Sequence, residues 1–225
     1  MTASLRQAVA AEATGTFLLF ATVIGSGIMA EQLSGGSAGL ALACNAIATG
    51  AMLYVLVALF GPVSGAHFNP LVTLVMRLRG AIGTGQALAH VAAQLAGGLA
   101  GVFAAHLMFD LDILQLSSRD RSGVGQWAGE AVATFGLILT VLAPRPGRAF
   151  EVPASVALYI TAAYWFTSST SFANPAITLV RSLTDTFAGI APASVPGFIL
   201  AQLVGAAAAM LVAAVVFGRV RGEAG

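Results

Sequence analysis

The chain reads as an all-α integral membrane protein, with six transmembrane helices and two re-entrant half-helices arranged as an inverted repeat. Three observations predict this. Of 225 residues, 58% are hydrophobic and only 8% charged, against about a quarter charged in a soluble domain, so a water-facing surface cannot be assembled. Six apolar runs are long enough to cross a bilayer, which takes about 20 residues per helix. The same landmarks also recur, in the same order, in the two halves of the chain.

The six runs are 9–30, 40–60, 82–109, 127–143, 152–168 and 198–217. The first follows Arg6 as a secretory signal would, but it is too long for the apolar core of one and has no small-residue cleavage site, so it is read as a mature span. With six spans both termini share one side. Placing the N-terminus inside puts Arg6, Arg77, Arg79, Arg145, Arg148, Arg219 and Arg221 in the cytoplasm and leaves Arg119, Arg121 and Arg181 outside, the distribution the positive-inside rule requires. Acidic residues carry little topological information, so the assignment rests on arginine alone.

The repeat is dense. AEATGTFLLFATV from Ala11 aligns with GEAVATFGLILTV from Gly129, pairing Glu12 with Glu130. HFNP at His67 answers FANP at Phe172, and AQLAGGLAG from Ala93 answers AQLVGAAAA from Ala201. Each half, roughly 1–115 and 120–225, holds three spans, an odd number, so the second half lies upside down relative to the first. Such repeats place a transport path at their interface. The whole chain is one membrane domain.

Between spans two and three, and between five and six, lie 69–77 and 174–182, too apolar for loops and too short to cross. As helices they extend about 13 Å, near half a hydrocarbon core. Because the halves are inverted, they enter from opposite sides and their Asn-Pro ends meet. Pro70 and Pro175 suit a first helical turn, and Asn69 and Asn174 are good N-caps. Non-helical backbone at this depth is tolerated only where protein shields it or it lines a wet cavity. Two helix N-termini aimed at one point repel cations. The Asn amides can turn a passing oxygen and interrupt a proton wire along a file of water.

What the composition excludes is as useful. Ten Arg and no Lys balance nine acidic residues to a net charge of +1, leaving no basic patch for nucleic acid. Cys44 is single and sits in an apolar run, expected as inert packing, so there is neither a disulfide framework nor a paired-Cys metal site. His, Asp and Glu are too scattered for a metal centre, and no nucleophile–base pair is visible. No enzyme, cofactor or metal is expected. A coupled secondary transporter also uses inverted repeats and broken helices, but the path holds almost no titratable groups to couple, so the channel reading prevails. A closed adhesive membrane protein would carry the same pattern.

These residues resemble the major intrinsic proteins, the aquaporins and aquaglyceroporins. The similarity runs through SGAHFNPLVTL at Ser64, SFANPAITLVRS at Ser171 and the two Glu-containing spans. The continuation TLVRSLTDTFAGI is similar to bacterial channels associated with arsenical resistance. The resemblance implies a passive channel for water, glycerol and neutral metalloid acids such as arsenite, with a water-selective pore as the alternative. It also implies a homotetramer with one pore per subunit. The Ala- and Gly-rich, Lys-free composition suggests a bacterial inner membrane.

By the same resemblance, Asn69, Pro70, Leu71, Asn174, Pro175 and Ala176 form the paired central motif, with Leu71 standing where Ala is usual. Counting from those motifs gives Thr49, Ala162, Ser171 and Ile177 as the selectivity filter, a ring that is wide and weakly polar, with Ile177 where Arg is usual. Glu12 and Glu130 would brace the re-entrant loops, with His67 a similar brace. Gln94 and Gln202 are expected as helix-contact residues. His106 and Asp110, one turn apart, are expected as a solvated pair, or else as part of the outer mouth. Arg181 is either a displaced filter group or, more commonly for such spacing, an i,i+4 partner of Asp185.

Overall fold

The computed structural model describes residues 3–144, 147 and 151–218. Arg145, Arg148, Arg219 and Arg221, on which part of the orientation rests, lie outside the described residues. The order of elements is α1 (Leu5–Leu33), α2 (Ala38–Ser64), α3 (Pro70–Leu78), α4 (Thr84–Met108), α5 (Val124–Leu142), α6 (Val152–Phe166), α7 (Pro175–Val180) and α8 (Val195–Val216). Among the described residues there is no strand. α1, α2, α4, α5 and α8 are long and apolar enough to cross a membrane, and α6 is a shorter apolar helix of 15 residues.

Polarity is turned inside out. Leu88, Leu158, Leu211 and Val215 are 68–84% exposed, whereas Glu12, Glu130, Gln94 and Gln202 are fully buried. Hydrocarbon on the outside accepts the leucines, and the polar groups must then find partners inside. Cys44, expected to be packed, is exposed on α2 instead. Leu40 and Ile47 on the same helix are exposed as well, where lipid takes the place of a core, whereas Ala41 and Ala46 are buried.

The two halves pack alike. α1 lies along α4, and α5 along α8. At Gly97 an added Cβ would stand 2.2 Å from the carbonyl oxygen of Ala13, and at Gly205 2.2 Å from that of Ala131. Small residues thus bring backbone against backbone at equivalent points, the means by which helices associate without a hydrophobic drive. α2 ends at Gly65, whose φ of 88° suits a residue without Cβ and turns the chain inward.

α3 begins at Pro70 and α7 at Pro175, each capped by the preceding Asn, whose side chain accepts from Leu71 N–H at 2.9 Å and from Ala176 N–H at 3.0 Å. α7 is regular only to Val180 and then tightens into a 3-10 turn over Arg181–Leu183, after which Thr184 is extended.

Candidate functional site

The ends of α3 and α7 are bonded crosswise. Asn69 Nδ2 donates to the carbonyl of Ala173 at 2.8 Å, and Asn174 Nδ2 donates to that of Phe68 at 2.8 Å. Each Asn oxygen is used by its own helix cap and one amide hydrogen by the opposite loop. The second hydrogen of each Nδ2 remains for a solute. Both Asn line a cavity of about 120 Å³. One water needs about 10–15 Å³ of such space, so a file of several fits.

The loops that deliver the Asn residues are strained at matching places. Ala66 and Phe68 in one, Ser171 and Ala173 in the other, have φ between 46° and 53°, where a side chain costs about 1–3 kcal/mol per residue unless the surroundings fix it. Two buried carboxylates supply that. Glu12 accepts from the backbone N–H of His67 and Phe68 at 2.9 and 2.8 Å, from Ser64 Oγ at 2.7 Å and from Gln94 Nε2 at 2.7 Å. Glu130 accepts from Phe172 N–H, Ala173 N–H and Gln202 Nε2 at 2.7, 2.9 and 2.6 Å. Gln94 and Gln202 are more than helix contacts, since each also donates to a half-helix threonine, Thr73 at 2.9 Å and Thr178 at 2.8 Å.

His67 lines the cavity, bonds Thr73 Oγ1 through Nδ1 at 3.1 Å and meets His90 edge-on at 5.3 Å. The equivalent pair in the second half is Phe172 and Phe198, at 5.1 Å with nearly the same tilt. Leu71 does not face the cavity. It packs with Ile138, Leu142, Ala206 and Ala209 in the core between α3, α5 and α8, and Ala176 is buried in the main core.

Thr49, Ser171, Ile177 and Arg181 all line the cavity, and the Ser171 hydroxyl is buried with no hydrogen-bond partner among the described residues. Ala162 does not line it; it is exposed on the opposite face of α6. The residues that α6 presents are Val152, Val156, Ile160 and Tyr164, four apart and so on one helical face. Tyr164 donates its hydroxyl to Thr49 Oγ1 at 3.3 Å. Counting back from Asn174 fixes a distance along the chain but not a rotation about the helix. α6 is apolar almost all round, so no hydrophobic period in its sequence marks Tyr164 as facing inward. Of the four expected positions, Thr49, Ser171 and Ile177 line the cavity and Ala162 does not, while Tyr164 and Arg181 line it besides.

Arg181 is not paired with Asp185. Its guanidinium is buried, donates from Nε to the carbonyl of Ala188 and stands 3.4 Å from the centroid of the Phe172 ring. Asp185 is exposed and accepts from Ser118 N–H and Oγ at 2.8 and 2.9 Å. An i,i+4 pair needs an α-helix through both residues, and the helix ends at Val180. Nor do His106 and Asp110 form a solvated pair. His106 is fully buried, with Nδ1 at 2.9 Å from the Ile113 carbonyl and Nε2 at 2.8 Å from Thr184 Oγ1. Asp110, at φ 53°, is exposed. His106 thus ties the 109–123 segment to the segment after α7. Among the described residues no group of three or more His, Cys, Asp or Glu is placed to hold a metal.

Comparison with known proteins agrees with this architecture. Residues 1–167 match the family model for the major intrinsic proteins. The chain is 56% identical over 200 residues to aquaglyceroporin AqpS of Rhizobium meliloti (strain 1021), covering 89% of this chain and 85% of that protein. It is 31% identical to aquaporin PIP2-5 of Zea mays, covering 70% of this chain and 61% of that one. The crystal structure of the aquaglyceroporin from Plasmodium falciparum superposes with a TM-score of 0.73 over 96% of this chain and 97% of that chain; at 16% identity this likeness concerns the fold alone. The chain belongs to the major intrinsic protein family.

Proposed function

We propose that the protein is a passive transmembrane channel for water and small neutral solutes of glycerol size, among them uncharged metalloid acids such as arsenous acid. The observation that carries this reading is the crossed Asn69–Asn174 pair inside a cavity, each amide with one donor left over. A solute oxygen that accepts from both amides cannot at the same time continue a donor–acceptor chain through the midplane. The N-termini of the half-helices place partial positive charge there, and Arg181 adds a full one on the same path. Cations are thereby rejected and no reaction is catalysed.

The filter in this reading is Thr49, Tyr164, Ser171 and Arg181, with Ile177 one turn deeper. Its hydroxyls and guanidinium offer donors and acceptors to a polyol or a hydroxylated acid. A water-selective pore gains support from the same two residues, since a phenol and a guanidinium fill more of the ring than the expected alanine and isoleucine. Stopped-flow swelling of proteoliposomes in water, glycerol, longer polyols and arsenous acid decides between the two. Glycerol and arsenous acid flux well above that of empty vesicles supports the broader channel, and water flux alone supports the narrower one.

Glu12, Glu130 and His67 brace the two loops in this account, and His106 holds the outer segments rather than contacting solute. One channel domain, built of repeats at roughly 1–115 and 120–225, sits in a bacterial inner membrane with both termini cytoplasmic. The assembly we favour is a homotetramer, one pore per subunit.

A further inference from the structure

Arg181 does not hold its place alone. A second guanidinium, that of Arg121 in the segment between α4 and α5, donates from Nε to the carbonyl of Gly189 at 2.7 Å and from Nη2 to that of Phe187 at 3.4 Å. Arg181 takes the carbonyl between them, Ala188. Three consecutive carbonyls are therefore shared by two cations. Both cations also address one ring: Cζ of Arg181 is 3.4 Å and Cζ of Arg121 5.1 Å from the centroid of Phe172, within cation–π reach.

The platform beneath them is fixed. The Phe172 N–H is held by Glu130. At Gly189 any Cβ would lie 2.3 Å from Ser117 Oγ and 2.5 Å from the Thr184 carbonyl, so that backbone has nowhere to retreat. Neither guanidinium has an ion-pair partner among the described residues, where the one bridge is Arg119–Glu31. The nearby carboxylates are engaged otherwise, Asp120 by Ser122 and Ser194, Asp185 by Ser118. Burial lowers the Arg121 guanidinium to about 10, which leaves it cationic at neutral pH. Arg181 lines the cavity, whereas Arg121 does not.

We propose that Arg121 is a positioning residue for solute selection: by occupying the flanking carbonyls and repelling Arg181 beside the Phe172 ring they share, it holds the Arg181 guanidinium toward the pore and so sets the width of the filter. The inference rests on the reading of Arg181 as a filter group. Without Arg121, Arg181 gains two vacated carbonyls and loses a like charge at the same ring, so it withdraws from the path.

The test is a double-mutant cycle in proteoliposomes, reading the ratio of glycerol to water permeability for wild type, Arg121→Gln, Arg181→Ala and the double variant. Arg121→Gln is expected to raise the ratio about fivefold, Arg181→Ala at least as much, and the double variant to match Arg181→Ala, because a residue acting through Arg181 has nothing to add once it is gone. Arg121→Lys, which keeps the charge but lacks the planar fork, should fall between wild type and Arg121→Gln. It replaces Gln in the cycle if that variant fails to assemble. A wild-type ratio in the assembled Arg121 variant beside a changed ratio in Arg181→Ala would reduce Arg121 to a loop clip. Additive effects in the double variant would show that it acts independently of Arg181. An unchanged ratio in Arg181→Ala would remove the filter reading and this inference together.

Discussion

Tyr164 on α6 reaches across the cavity wall to Thr49 on α2, hydroxyl to hydroxyl at 3.3 Å, while Ala162, two residues earlier, points away from the path. Two positions so close in sequence should differ sharply in their effect on conduction. Tyr164→Ala removes a phenol from the lining and is expected to raise glycerol permeability relative to water several-fold. Ala162→Leu should leave that ratio within error of wild type. Stopped-flow measurements on both at matched protein levels check the pair.

The carboxylate braces predict a loss of stability before any change in selectivity. Glu12→Ala leaves the His67 and Phe68 N–H groups unpaired, at about 1–3 kcal/mol for each buried group. It also releases a loop with two left-handed residues. Glu130→Ala does the same to Phe172 and Ala173. Gln at either position keeps one acceptor oxygen and should recover part of the difference. Thermal unfolding in detergent should rank wild type above Gln and Gln above Ala. Ala variants that remain as stable as wild type but choose solutes differently would place these groups in the pore.

Helix approach gives a contrast between glycines on one helix. Gly97→Ala on α4 forces a methyl into the Ala13 carbonyl at 2.2 Å and should cost several kcal/mol or prevent assembly. Gly85→Ala, in the first turn of the same helix with nothing within 4 Å, should be neutral or stabilising by up to about 1 kcal/mol. Yield of monodisperse protein and its melting temperature separate the two.

Much of the molecule is legible in its sequence, for reasons that can be named. Spans follow from length and apolarity, and the half-helices from two Asn-Pro pairs followed by apolar stretches too short to cross. Thr49, Ser171 and Ile177, counted from those pairs, do line the cavity. Tyr164, which also lines the cavity, is not found by a count along the chain, because such a count ignores helical phase. The spacing of Arg181 to Asp185 misleads because it has meaning only while the helix continues, and the helix stops at Val180. The burial of His106 and the grip of Arg121 on the loop at 187–189 depend on contacts between segments some 70 residues apart, which no local pattern reveals.

The outer segments carry a pH dependence of defined sign. Hydrogen bonds from Ser118 N–H and Oγ hold the Asp185 carboxyl below its ordinary value of 3.8. The Ser122 and Ser194 hydroxyls do the same for Asp120. A lowered pKa in the folded state means stabilisation that is complete above the ordinary value and is lost as pH falls through the lower one. The tie between residues 117–121 and 184–194 should therefore be unchanged from pH 7 to about 5 and loosen only below about pH 4. Amide exchange of Ser118 followed against pH should show that step, and Asp185→Asn should abolish it.

Neutral solutes should pass down their own gradient through this pore, and ions should not. Purified protein in proteoliposomes, given an outward glycerol gradient, should equilibrate at the same rate with an imposed proton gradient as after a protonophore has collapsed it, and planar bilayers holding the same protein should carry no current above the lipid background. Glycerol flux that falls when the proton gradient is removed, or a measurable cation or proton current, would show a coupled or ion-conducting path in place of a passive neutral one.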